Sequence, residues 1–161
     1  MSDAIINVKV KRMARNSLPL PAYATAASAG VDLCADLTER LVVKPGENIK
    51  IPTGLAIELP SQSVVALVFA RSGLASRFGM GLTNGVGVID SDYRGEIKVL
   101  VQNLGQQVVT INPGDRIAQM VFMPVFQAIF EEVSELQDTT RGTGGFGSTG
   151  VGVPSLVSSE T

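Results

Sequence analysis

The sequence predicts an all-β fold: a jelly-roll-like β-sandwich or barrel of short strands, with one short helix and a flexible Gly-rich C-terminal arm. Three observations carry this. Apolar and polar residues alternate with period two in several short runs. Pro-Gly, Asn-Gly and related turn signals fall between those runs. No stretch sustains the 3.6-residue periodicity of an amphipathic helix. Many short strands separated by Gly/Pro turns are the pattern of a sandwich or barrel.

The first strand candidate is "INVKVK" (residues 6–11), with Ile6, Val8 and Val10 expected on a half-buried face and Asn7, Lys9 and Lys11 opposite. "AGVDLCA" (29–35) follows, a strand that sets Asp32 between apolar neighbours. "KPGEN" puts Pro45-Gly46 at the centre of a type II turn. "NIKI" (48–51) alternates again, with Ile49 and Ile51 on one side, and "PTG" ends it. "VVALVFA" (64–70) is the longest apolar run, far short of the roughly 20 residues a membrane-spanning helix needs. "RSGLASRFG" (71–79) is the one stretch suited to a short helix. Asn84-Gly85 suits a tight hairpin. "EIKVLVQ" (96–102) places Ile97, Val99 and Val101 on one face, and Pro113-Gly114 centres a second type II turn. From Thr140 the composition shifts to Gly, Ser and Thr. The expected division is therefore a folded domain over residues 1–139 and an arm over 140–161.

Composition narrows the function. The chain has 161 residues, 45% apolar and 17% charged, which suits one globular domain. Mean hydropathy is +0.27, so surplus apolar surface is expected to be buried between subunits. The net charge of −2 supplies no basic field for nucleic acid. The N-terminal residues alternate and lack the apolar block of a signal peptide. One cysteine, Cys34, allows neither an intrachain disulfide nor a thiolate metal cluster, which fits a reducing cytoplasm. There is no histidine. Its absence removes Ser-His-Asp triads, H-E-x-x-H sites and the zinc-deaminase signature, and leaves acid–base work to Asp, Glu, Lys or Tyr.

Five segments could carry chemistry. In "AGVDLCA", Asp32 pairs with a partner, ligates a metal or acts on water. In "ARSGLA" (70–75), the Arg71 fork, the Ser72 hydroxyl and the bare backbone of Gly73 at a helix start make a phosphate cradle. The same residues also suit a plain helix cap with a surface arginine. "GVIDSDYRGEI" (87–97) gathers Asp90, Asp92, Tyr93, Arg94 and Glu96, either a general base beside a stacking ring or a solvated polar hairpin. In "GDRIAQM" (114–120), Asp115 caps a turn, Arg116 suits an ion pair, and Gln119 is an unexplained polar residue in an apolar strand. The tail "RGTGGFGSTG" (141–150) contains a literal G-x-G-x-x-G at Gly142, Gly144 and Gly147. A dinucleotide fold is not expected, because the motif opens no strand–turn–helix unit in the residues that follow it.

In this order the five segments resemble the five motifs of the trimeric deoxyuridine triphosphatases, spanning residues 29–150. The resemblance implies a homotrimer of β-sandwich subunits that hydrolyses dUTP to dUMP and pyrophosphate with Mg²⁺. Such an activity limits uracil incorporation into DNA and supplies dUMP for thymidylate synthesis. It implies that Asp90 deprotonates a water attacking the α-phosphorus in line, and that Tyr93 packs on deoxyribose and leaves no space for a 2′-hydroxyl. A hairpin containing Asn84, Gly87, Val88 and Ile89 would read uracil. Arg71, Ser72 and Gly73 would hold phosphate oxygens, Gln119 would contact the α-phosphate region, and Asp32 would act through the water shell of Mg²⁺. Each site would draw on three chains, with the tail of one closing over the nucleotide. In that tail Arg141 would reach the γ-phosphate, Phe146 would stack on uracil, and Gly147 belongs to the same substrate-binding set. Two other readings are a dCTP deaminase of the same superfamily, which would release ammonia, and a non-enzymatic trimeric jelly-roll binding protein.

Overall fold

The structure, a computed structural model, describes residues 5–13 and 17–145. It comprises two compact units, residues 1–127 and residues 128–161. All of the strands and the one helix described lie in the first unit.

Eleven short strands form there: β1 (Lys9–Arg12), β2 (Val31–Cys34), β3 (Leu41–Val43), β4 (Asn48–Pro52), β5 (Leu55–Glu58), β6 (Val64–Phe69), β7 (Met80–Leu82), β8 (Gly87–Ile89), β9 (Lys98–Asn103), β10 (Val109–Ile111) and β11 (Arg116–Pro124). Helix α1 (Ser72–Phe78) joins β6 to β7. A four-stranded sheet runs β2-β11-β6-β8, a three-stranded sheet runs β4-β9-β7, and β1-β5 and β3-β10 form two short ribbons. All of these pairs are antiparallel. No two successive strands pair with one another among the described residues. Every connection instead carries the chain from one sheet or ribbon to another, the wiring of a jelly roll.

The alternation in the sequence places the core. Val31 and Leu33 of β2, Ala66 and Val68 of β6, and Ala118 and Met120 of β11 are buried on one face of the four-stranded sheet. They share a cluster with Ile51 of β4, Val99 and Val101 of β9, and Met80 of β7. The inner faces of the two main sheets therefore build one hydrophobic centre.

Both expected type II turns form. Glu47 N–H donates to Lys44 C=O at 3.0 Å across Pro45-Gly46, and Asp115 N–H donates to Asn112 C=O at 3.1 Å across Pro113-Gly114. Gly46 and Gly114 have φ of 79° and 81°, values that penalise any residue with a Cβ. The helix expected over 71–79 is α1.

Two expectations fail. Asn84-Gly85 does not close a tight hairpin, because β7 pairs with β9 whereas β8 pairs with β6. The turn crosses between sheets. The first strand also differs: it starts at Lys9, and Val10 is exposed rather than half-buried. Among the described strands β1 pairs with β5 alone, at the edge of a two-stranded ribbon. Its Lys9 ammonium donates to Glu58 at 2.7 Å, and that bond, with the lysine's charge, holds the Glu58 carboxyl below its usual range.

Asn103 is fully buried at the end of β9. Its Nδ2 donates to Val43 C=O at 3.0 Å and Gln107 C=O at 2.8 Å, and its Oδ1 accepts the Gly105 N–H at 3.0 Å. One side chain thus satisfies three backbone groups and ties β3 to the end of β9. Asn103→Ala should leave those groups unpaired and lower stability by about 3 kcal/mol. A drop in the urea midpoint with an unchanged slope is the expected readout.

Candidate active site

The short excursion of the chain from β7 to β8 and back to β9 builds a cleft. The turn at residues 83–86 carries the chain from the three-stranded sheet to β8, and the loop at residues 90–97 carries it back. Between these crossings lies a cleft of about 440 Å³, lined by Asn84, Gly87, Val88, Ile89, Asp90 and Tyr93 among others. Six of the residues singled out in the sequence therefore share one wall. β8 is an edge strand of its sheet, so one side of its backbone has N–H and C=O groups outside the ladder. The segment 87–97 is likewise no hairpin, since its two ends enter different sheets.

Asp90 follows β8 directly and is exposed in the cleft. Its C=O accepts the Tyr93 N–H at 3.1 Å, which makes residues 90–93 a tight turn. Tyr93 Oη donates to Glu96 C=O at 3.0 Å. Glu96 was not assigned a role from sequence. Its carboxylate accepts the Gly54 N–H at 3.0 Å and lies 3.5 Å from Lys98 Nζ, so it anchors the return loop to the β4–β5 connection.

A second cluster forms at the other candidate motifs. Asp32, on β2, lies between two arginines: Arg71 Nε is 2.7 Å from Oδ1 and Arg116 Nη1 is 3.1 Å from Oδ2. Of the three fates left open for Asp32, ion pairing is the one observed. Arg71 stands at the N-cap of α1, where its side chain makes no capping bond and pairs with Asp32 instead. One carboxylate between two guanidiniums leaves one surplus positive charge, a suitable balance for a phosphate chain. Ser72 and Gly73 are exposed in the first helical turn, and a Cβ at Gly73 would meet nothing within 4 Å. Backbone N–H groups in a first turn lie outside the helical ladder. Gln119 pairs in register with Asp32 and Phe69, and its Nε2 donates to Ala70 C=O at 3.0 Å. Asp115 accepts the Asn112 N–H at 2.7 Å and caps its turn as expected. Burial, followed by the nearby Asp32 charge, raises the Cys34 thiol pKa above its usual value, and Arg116 and Arg71 oppose the shift.

The Asp32, Arg71 and Gln119 cluster does not line the Asp90 cleft. Arg141 belongs to the second unit, in a turn where its Nε donates to Gly144 C=O at 2.9 Å. Phe146 and Gly147 lie outside the described residues.

The comparisons with known proteins assign this all-β sandwich to a family. The family model for dUTPase matches residues 16–150. The deoxyuridine 5'-triphosphate nucleotidohydrolase of Desulfitobacterium hafniense strain DCB-2 is 58% identical over 91% of this chain and 97% of its own length. That of Hahella chejuensis is 51% identical over 93% of this chain and 99% of its own. Among solved structures, Staphylococcus bacteriophage 80alpha dUTPase with dUPNHPP superposes with a TM-score of 0.80 at 26% identity, over 90% of this chain and 99% of that one. The chain belongs to the dUTPase family.

Proposed function

We propose that the chain is a dUTP diphosphatase that hydrolyses dUTP to dUMP and pyrophosphate, with Asp90 as general base. The observation that carries this reading is the Asp90 cleft. An exposed carboxylate, a tyrosine ring and an unpaired strand edge face one space of nucleoside size. Asp90 orients a water and takes its proton as the oxygen attacks the α-phosphorus in line, with pyrophosphate leaving. Backbone groups of residues 84–89 pair with the small, directional edge of uracil, as a complementary base would. Asn84, Gly87, Val88 and Ile89 supply that surface, and Tyr93 packs on the deoxyribose. Arg71, Ser72 and Gly73 hold phosphate oxygens, and Gln119 reaches the α-phosphate region.

No cluster of three or more metal-binding side chains occurs among the described residues. A cation caged by protein donors alone therefore does not fit. Mg²⁺ fits, because it keeps several waters and takes phosphate oxygens as ligands. Both Asp32 oxygens are already engaged by arginines, and each retains acceptor capacity for a metal-bound water. When bound, the ion neutralises phosphate charge. A structural Mg(II) ion is described for the phage phi11 dUTPase of S. aureus, which shares the fold at 23% identity.

The reading extends to a homotrimer in a cytoplasmic setting. Two half-sites on one chain need a second chain to meet. The outer face of the four-stranded sheet presents Val65, Leu67, Phe69, Val88, Val121 and Met123, none of them buried. Phe126, Ile129 and Phe130 are 95% exposed or more, which suits segments covered by neighbouring copies. Residues 140–161 act as the arm, with Arg141 on the γ-phosphate, Phe146 on uracil, and Gly147 in close backbone contact. No described helix is long and apolar enough to cross a membrane.

Incubation with Mg²⁺ and dUTP should yield dUMP and pyrophosphate, with dCTP, dTTP and UTP left largely intact. Ammonia from dCTP would overturn the assignment in favour of deamination, and an inert protein would leave a binding role. Light scattering should give three times the 16.9 kDa chain mass. Mixing inactive Asp90→Asn chains with inactive tail-deleted chains should restore activity through mixed trimers.

A further inference from the structure

Gly95 is a glycine that its backbone does not require. The described glycines with positive φ are Gly46, Gly54, Gly79, Gly85, Gly114 and Gly142, and Gly95 is not among them. What excludes a side chain there is the ring two residues earlier. A Cβ on Gly95 would stand 2.6 Å from Tyr93 Cζ and 3.0 Å from Cε2, and would overlap Oη. The Tyr93 ring thus lies directly on the Gly95 backbone, with its hydroxyl donating to the next carbonyl, that of Glu96, at 3.0 Å.

That carbonyl belongs to a fixed frame. Glu96 accepts the Gly54 N–H at 3.0 Å. Ile97, 1% exposed, donates its N–H to Leu55 C=O at 2.8 Å. The Ile97 carbonyl accepts from the Thr53 hydroxyl at 2.7 Å and the Thr53 N–H at 3.2 Å. The ring is held by a hydroxyl tether at one end and a flat backbone beneath, both referred to the β4–β5 connection.

We propose that Gly95 is a specificity-positioning residue: its missing side chain lets the Tyr93 ring seat against the backbone and form the wall that keeps a ribose 2′-hydroxyl out of the cleft. The inference rests on the reading that Tyr93 flanks the sugar. A single added methyl at Gly95 displaces the ring and breaks its tether, while Asp90 and the uracil edge on β8 stay in place. The displaced wall opens room beside the 2′ carbon.

The test compares kcat and KM on dUTP and UTP for the wild type, Gly95→Ala, Tyr93→Phe, Tyr93→Ala and the Gly95→Ala/Tyr93→Ala double variant. Gly95→Ala should lower the dUTP-over-UTP ratio of kcat/KM about tenfold, chiefly through KM, with a smaller fall in kcat on dUTP. Tyr93→Phe, which keeps the ring and loses the tether, should lower the ratio less. In the double variant the alanine at position 95 should add nothing to the loss from Tyr93→Ala, because no ring remains to displace. Tyr23 and Tyr93 are the only tyrosines and there is no tryptophan. In a Tyr23→Phe background, the near-UV dichroism of Tyr93 should therefore weaken with Gly95→Ala. An unchanged ratio in Gly95→Ala beside a collapsed ratio in Tyr93→Ala overturns the positioning role alone. An unchanged ratio in Tyr93→Ala overturns the sugar-wall reading and the proposal with it. A loss from Gly95→Ala that persists in the Tyr93→Ala background also overturns the proposal, because the effect would then not run through the ring.

Discussion

Asp90→Asn should lower turnover on dUTP by about 10²–10⁴-fold, the usual cost of losing a general base, while an imido analogue of dUTP still binds. The amide has the size of the carboxylate and cannot accept the water's proton. The chain offers no easy substitute. It has no histidine, and the other carboxylate lining the cleft, Glu96, is engaged by the Gly54 N–H and Lys98. Single-turnover kinetics alongside calorimetric binding separate chemistry from affinity. Near-normal turnover would remove Asp90 from its role and turn attention to Asp92, which lines a neighbouring cavity with it.

Deleting residues 141–161 should abolish most activity and leave the fold intact. Among the described residues, every buried member of the hydrophobic core lies between Val31 and Met120, so the truncated chain retains that centre. Its thermal midpoint should match that of the full chain. Within the arm, Phe146→Ala should lose a base stack worth about 1–3 kcal/mol, roughly five- to 150-fold in rate. Phe146→Trp would place the only tryptophan of the chain at the lid. Its emission should change when an imido dUTP analogue and Mg²⁺ are added, and change less with dUMP, which offers Arg141 no γ-phosphate. Full activity in the truncated enzyme with a silent tryptophan would exclude a lid function.

The features legible in the sequence are those set by local chemistry. Pro-Gly fixed both turns at residues 44–47 and 112–115, and "RSGLASRFG" carried its helix because the run between β6 and β7 loses period two. The alternation in "EIKVLVQ" correctly buried Ile97, Val99 and Val101. Partner choice was not legible. Asn84-Gly85 is a strong hairpin signal, yet the strands on either side pair elsewhere, because pairing is decided by contacts distant in sequence. Asn103 was missed for a related reason. After an apolar run an asparagine looks like the start of a loop, and only the folded chain brings Val43, Gly105 and Gln107 around its amide. Of the candidate site, Asn84, Gly87, Val88, Ile89, Asp90 and Tyr93, close in sequence, line one cleft, whereas Arg71 and Gln119 gather in a separate cluster. The Asp32–Arg71 pair was not legible, since nothing in either motif names the other as its partner.

The crossing at residues 83–86 ties the proposed substrate cleft to the union of the two sheets. A cleft on a single hairpin could persist in a chain that had lost its tertiary order. Here the lining comes from strands of both sheets, and sliding or parting the layers by a few ångströms would dismantle the cleft. A partly collapsed chain with native strands but undocked layers would be blind to dUTP. Ligand binding therefore acts as a vote for the whole sandwich: occupancy of the cleft draws the population toward the fully docked form.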